Sequence, residues 1–295
     1  MTKSNTQPSP VQRLRVLFAL VLVLFVSACS TIRLTYNNGD TLLYWWINAY
    51  VDLDSAQSDF VKADIDRFFI WHRQTQLPDY VSLLQRSKQQ LQGNVTPQVL
   101  DGIMREVRTR GERLALHAVP QLAELARSLK PQQIANMESK FAKNNRDYRR
   151  KFMSGDAEKR RKIRYKKTME QLNLWFGRFS NQQEDAIRRL SDARPLDQEA
   201  WLQERMRRQR TIVELVRRVQ SQKLDKAATA AAIEAAIRAT FTRLDSPERR
   251  AAYEAQTRFY NDVIHLTTPE QKAHAQRRMQ GWIDEMNILA REKQK

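Results

Sequence analysis

Three times along this chain a hydroxyl residue stands directly before a proline: Thr96-Pro97, Ser246-Pro247 and Thr268-Pro269. At a helix start the hydroxyl accepts a hydrogen bond from an exposed backbone amide, and the missing proline N–H costs nothing in the first turn. Thr268 with Gln271, and Ser180 with Gln183, also have the spacing of a capping box. Asp54 and Asp197 mark two further starts. Gly93-Asn94, Ser154-Gly155 and Ala193-Arg194-Pro195 mark breaks. Between these points the chain runs in Ala, Leu, Gln, Glu, Lys and Arg, all good helix formers, and it spends only seven glycines in 295 residues. The strict alternation that a sheet requires is missing after residue 30. The fold class expected is all-α.

The punctuation predicts helices over 40–50, 55–76, 79–92, 97–128, 131–153, 157–178, 181–192, 197–222, 225–243, 247–266 and 269–291. Val61, Ile65, Phe68 and His72 recur at spacings of three and four, as do Trp282, Met286 and Leu289. Ile212, Leu215, Val216 and Val219 form an apolar stripe on a charged background, the kind that seals helix against helix. The alanines between Ala227 and Ala239 are expected to let neighbouring helices approach closely. An elongated multi-helix bundle follows, with residues 40–295 forming one domain or two sub-bundles, about 40–195 and 196–295.

The front of the chain is different. Lys3, Arg13 and Arg15 precede an unbroken apolar run from Val16 to Val26, and Ser27-Ala28 then lead into Cys29, the one cysteine in the sequence. The run is too short to span a bilayer and has the layout of a secretory signal peptide over residues 1–28. Val26-Ser27-Ala28-Cys29 resembles the lipobox of bacterial lipoproteins. The resemblance implies cleavage before Cys29, a diacylglyceryl group on its thiol and acylation of its freed amine. Two or more chains give a stable anchor where one is marginal. Ser30 follows where inner-membrane retention favours Asp, so the resemblance implies an outer-membrane lipoprotein facing the periplasm, with residues 29–39 as lipidated cysteine and short tether. No cofactor beyond that covalent lipid is expected.

Removing residues 1–28 leaves 48 basic and 33 acidic residues, a net charge of +15. In an exported chain such a charge does not point to nucleic acid. The available anions are phospholipid head groups, lipopolysaccharide phosphates and acidic proteins. Residues 146–167 carry much of the excess: Arg149, Arg150, Lys151, Lys159, Arg160, Arg161, Lys162, Arg164, Lys166 and Lys167 are a candidate anionic-partner surface. At 100° per residue these side chains point all round the helix, so no single face there is expected to be buried.

Behind the anchor lies LTYNNGDTLLYWWINAYVDLDSAQSDF. Trp and Tyr favour the bilayer interface, but Leu43, Trp46 and Tyr50 share one helical face, and Asp40, Asp52 and Asp54 disfavour an anionic surface, so core packing is expected. Tyr36-Asn37-Asn38, Tyr44-Trp45-Trp46, Asp52 and Trp71-His72 together resemble the signature of an uncharacterised Gram-negative lipoprotein family, a domain of unknown function. That resemblance, taken over nearly the whole mature chain, implies a lipoprotein and supplies no activity. FSNQQ (179–183) and LTTPEQ (266–271) are also similar to the Leu-Thr-x-x-Gln phrases of Spy-type periplasmic chaperones. They depart from them at Phe179 and by one extra residue.

Chemistry is sparse. A calcium loop read from Asp52 fails at Ala56, Gln57 and Ala63, where oxygen ligand, glycine and glutamate are needed. None of His72, His117, His265 and His274 has a helical partner for a metal, so no metal site is expected, and no nucleophile elbow or phosphate loop occurs. The function expected is non-enzymatic: a lipid-anchored envelope protein that binds or scaffolds a protein or an anionic envelope component. A chaperone for unfolded envelope proteins is the alternative, and a hydrolase built on distant carboxylates or His72 a third reading. Oligomeric state is not legible.

Overall fold

A computed structural model describes residues 32–195, 198–243 and 246–292. The expected signal peptide and Cys29 lie outside the described residues. Every regular element among the described residues is a helix: α1 (32–37), α2 (Gly39–Val51), α3 (Ser55–Trp71), α4 (Leu77–Gln90), α5 (Pro97–His117), α6 (Val119–Ser128), α7 (Pro131–Tyr148), α8 (Ala157–Phe176), α9 (Asn181–Ala193), α10 (Gln198–Ser221), α11 (Lys226–Thr242), α12 (Pro247–Leu266) and α13 (Pro269–Arg291).

The starts follow side-chain chemistry. Thr96 accepts from Val99 N, Asp54 from Gln57 N, Ser180 from Gln183 N and Thr268 from Gln271 N. Asp156 and Asp225 do the same for α8 and α11. Ser246 precedes Pro247 as expected, but its hydroxyl makes no capping bond.

Three departures from expectation have local causes. Residues 55–90 run on without the gap expected at 77–78, through a π-helical turn at His72–Gln76 in which Leu77 N reaches back to His72 O. Pro78 has no N–H to give the carbonyl four residues earlier, and widening that turn absorbs the mismatch without ending the helix. The helix expected over 97–128 breaks at Ala118 instead, because Pro120 belongs to the first turn of α6. A second π-helical turn, Arg149–Met153, ends α7.

Among the described residues, two buried apolar clusters join helices distant in sequence. One joins α2, α6, α7, α10 and α11 around Val51, Ala123, Ala126, Ile134, Met137, Val213, Val216 and Ile233. The other joins α8, α9 and α12 around Tyr165, Met169, Leu172, Phe179, Ile187, Phe259 and Val263. Both cores draw on helices from either side of residue 195. α13 then returns along α4 and also meets α8, which brings the C-terminal helix beside the start of the described chain.

Candidate functional site

The first core does not close. Between its five helices lies an open groove of about 460 Å³, walled by Trp46, Ile47 and Tyr50 of α2, Leu122 and Leu125 of α6, Met137 and Phe141 of α7, Ile212 and Leu215 of α10, and Ile233, Ala236 and Ile237 of α11. The volume is that of a single-ligand site, for which roughly 300–1,000 Å³ is usual. Among the described residues one charged side chain lines it, Arg208, with Thr211 and Thr240 as nearby polar neighbours. The stripe on α10 thus divides: Val216 and Val219 are buried, whereas Ile212 is 47% exposed and faces the groove. Ala236 sits on the groove wall, where a short side chain leaves space.

The rim of the groove corrects one expectation. Trp46 was expected in the core but is 61% exposed, and Trp45 is 69% exposed. α2 packs on α3 and α7, and its inner positions are held by Ile47, Tyr50 and Val51. Trp46 leans on Tyr50 with ring centres 5.0 Å apart. Leu34 and Leu42 are exposed as well. Leu42, Trp45 and Trp46, spaced three and four apart on α2, form an exposed apolar strip, and Leu34 adds an exposed side chain on α1.

The remaining signature residues do convergent structural work. Arg33 forks onto Glu285 of α13 at 3.0 and 3.2 Å. The Tyr36 hydroxyl lies 2.8 Å from His72 Nδ1. Arg73 is buried and donates to Asn37 Oδ1, to the Leu289 carbonyl and to Glu292. The π-helical turn aims Arg73 inward, and its neighbour Trp71 stacks on His117 at 3.5 Å. Gly39 belongs to this clasp: a Cβ there would lie 2.7 Å from the Phe69 ring. Residues 33–39, expected within a tether, are therefore docked against the body. Burial pushes His72 down to about 4 and Tyr36 up to about 12. Both are neutral near pH 7 and share one hydrogen bond, the hydroxyl donating to Nδ1 in one imidazole tautomer and accepting from it in the other. Elsewhere Asn38 donates to the Leu34 carbonyl, Tyr44 to Ser58, and Asp52 ends α2 at φ 61°.

The basic stretch is not a single surface. α8 does bury one face, through Tyr165, Met169 and Leu172, contrary to expectation. Helical spacing from Ile163 onward supplies that face even while cations crowd the others. Arg164 is spent inside the protein, donating to the carbonyls of Ser191, Arg194 and Pro195 at the end of α9. Arg160 is half-buried, while Arg149, Arg150, Lys151, Lys159, Arg161, Lys162, Lys166 and Lys167 are exposed. Arg150, Lys162 and Lys167 pair with Asp147, Glu158 and Glu170. Arg149 opens onto a second cleft shared with Arg146, Arg210 and Arg217 and with Glu138 and Glu214.

Among the described residues no three His, Cys, Asp or Glu side chains are placed to hold a metal, and no helix is long and apolar enough to cross a membrane. His274 and His265 are engaged by the carbonyls of Trp175 and Asn261. The groove itself was missed in the sequence: its walls come from five separate helices, and the stripe on α10 was its one visible trace.

A family model described as a family of unknown function, DUF6279, matches residues 49–231. The match takes in Asp52, Trp71 and His72 and leaves Tyr36 to Trp46 outside, so it is narrower than the near-complete resemblance expected. Neither a curated protein nor a solved structure matches the chain.

Proposed function

We propose, from the premise that the chain belongs to DUF6279, a family of unknown function, that it is a lipid-anchored envelope protein that binds the acyl chain of a lipid without transforming it. The observation that carries this reading is the groove: apolar on nearly all its walls, open, and formed within one chain. The expected lipid on Cys29 supports it, because Leu34, Leu42, Trp45 and Trp46 stand exposed a few residues beyond that cysteine. Trp rings are favoured at the head-group level of a bilayer. Trp46 belongs both to this strip and to the groove wall, so a chain leaving the bilayer meets the groove at once. Asp54, which argued against an anionic surface, is paired with Lys130 at 2.9 Å.

The energetics are sufficient. A twelve-carbon chain contributes about 9 kcal/mol gross at ~0.8 kcal/mol per buried methylene. Association costs of at least about 4 kcal/mol leave at most about 5 kcal/mol, a Kd of about 0.2 mM.

Dodecanol tests the groove with no charged head. Calorimetry should show saturable binding of one molecule per chain, weakened about tenfold or more by Ala236→Phe or Ile237→Trp, which fill the groove. Unsaturable uptake, or equal affinity in both filled variants, would reject the reading. If dodecanol fails while the protein suppresses aggregation of an unfolded polypeptide, the groove serves clients and the chaperone reading replaces this one.

A further inference from the structure

One end of the groove carries a surplus of positive charge that the acyl chain alone does not use. Glu204 of α10 is nearly buried, its side chain 11% exposed, and four guanidinium groups crowd it. Arg207 lies 2.7 Å away, Arg249 3.6 Å, Arg208 3.8 Å and Arg243 3.9 Å. Among the described side chains Glu204 is the carboxylate facing all four, one negative charge against four positive. A lone carboxylate with two oxygens takes a bidentate fork from one arginine. Arg207 makes that fork, at 2.7 and 2.8 Å. The other three are held at longer range, with donor capacity to spare.

Arg208 connects this cluster to the groove. It is the charged residue on the groove wall and at the same time a member of the arginine cluster. Thr240, beside it on α11, gives its hydroxyl proton to the Ala236 carbonyl at 2.8 Å. The guanidinium of Arg208 is therefore the strong donor at this end. A free inorganic anion would satisfy the arginines and leave the apolar walls wet. A neutral chain would fill the walls and leave the arginines unmatched. A molecule with both parts satisfies both surfaces.

We infer that the groove takes a single-chain anionic amphiphile, a fatty carboxylate or an alkyl or lysolipid phosphate, with its chain along α10 and α11 and its anionic oxygens on Arg208 backed by Arg243 and Arg249. This rests on the groove reading above and adds the head group. The arrangement discriminates by charge: an anionic head gains charge-assisted hydrogen bonds, whereas a cationic one meets like charge.

The test holds the chain constant and varies the head. Dodecanoate, dodecyl phosphate, dodecanol and dodecyltrimethylammonium are titrated by calorimetry into the full-length protein and into Arg208→Gln, Arg208→Lys and Arg249→Gln. In the parent the two anions should bind about tenfold or more tighter than dodecanol, and the cation weakest. Arg208→Gln should bring both anions to the affinity that the same variant shows for dodecanol, so that the preference for an anionic head is lost. Arg208→Lys should restore part of the preference, and Arg249→Gln should reduce it. Whichever anion binds tighter identifies the head group. The inference is overturned if the parent does not prefer anions over dodecanol, or if the preference survives in both glutamine variants. It is also overturned if inorganic phosphate alone binds as tightly as dodecyl phosphate. Dodecanol is the internal control: its failure in the parent rejects the groove, whereas its retention without an anion preference rejects the head-group site alone.

Discussion

His72 shows how one buried side chain carries a pH signature. Its neighbours are Tyr36 at 2.8 Å and the rings of Phe68, Phe69, Trp71 and Tyr80, with Arg73 next in sequence. Burial among them holds its pKa at about 4, below the ordinary 6.5. In the unfolded chain His72 takes up a proton near pH 6.5, whereas in the folded chain it does so only near pH 4. The stability it supports is therefore full above pH 6.5 and is lost as pH falls from 6.5 towards 4. Solvent access to the ring discounts the full shift to about 2 kcal/mol. Urea unfolding at pH 7 and pH 4.5 should show this loss in the parent and a smaller one in His72→Gln. Equal losses would remove His72 as the cause. Arg73→Met should cost about 2 kcal/mol at pH 7, since it removes the donor shared by Asn37, Glu292 and the Leu289 carbonyl. The sequence displayed His72 and its aromatic company but not this clasp. Arg33, Arg73, Glu285 and Glu292 lie up to 259 residues apart, and nothing local marks them as partners.

Among the elements, the helix starts were the most legible feature, and their pairing the least. Gln183 and Gln271 each close a capping box, and their amides also bond to one another, at 2.9 and 3.2 Å. Gln57 and Gln133, at the starts of α3 and α7, repeat the same reciprocal contact at 3.1 and 2.6 Å. Each pair also serves carbonyls outside itself: Gln57 donates to Ser128, Gln133 to Asp52, Gln183 to Leu266 and Gln271 to Arg178. Two distant helix starts are thereby locked together, twice. A capping box is read from four residues, whereas the cross-helix bond depends on tertiary approach, which is why the first half could be predicted and the second could not. Gln133→Leu should cost about 2–4 kcal/mol by thermal unfolding, because it leaves several buried groups unpaired. Adding Gln57→Leu should cost much less than a second such loss. Additive costs in that double-mutant cycle would mean the two amides act independently. The proline positions taught the opposite lesson. Pro78 and Pro120 have the same local chemistry, yet one is absorbed by a π-helical turn and the other divides a helix, and only packing separates those outcomes.

At the scale of the molecule, all-helical architecture followed from capping and composition, while the groove arose from how five helices fail to meet. Charge is also a whole-molecule property. The exposed cations of the α7–α8 corner, Lys151, Lys159, Arg161 and Lys166 among them, should draw the protein to anionic vesicles. Each such charge contributes about 1 kcal/mol near an anionic surface and is screened over about 8 Å at physiological ionic strength. Replacing these four with Ser should weaken co-sedimentation with anionic vesicles about tenfold or more, and raising the salt should weaken the parent likewise. Binding indifferent to both would assign the corner to solvation. The docking of Arg33 onto Glu285 at 3.0 Å has a geometric corollary. From Cys29 to Arg33 the backbone can extend at most about 14 Å at roughly 3.5 Å per residue. A body acylated at Cys29 is thus moored rather than leashed: it cannot swing across the compartment to sample a distant wall. On the proposed anchoring, the docked start of α1 would stay within about 14 Å of the acylated residue, and the groove rim with it close to that leaflet.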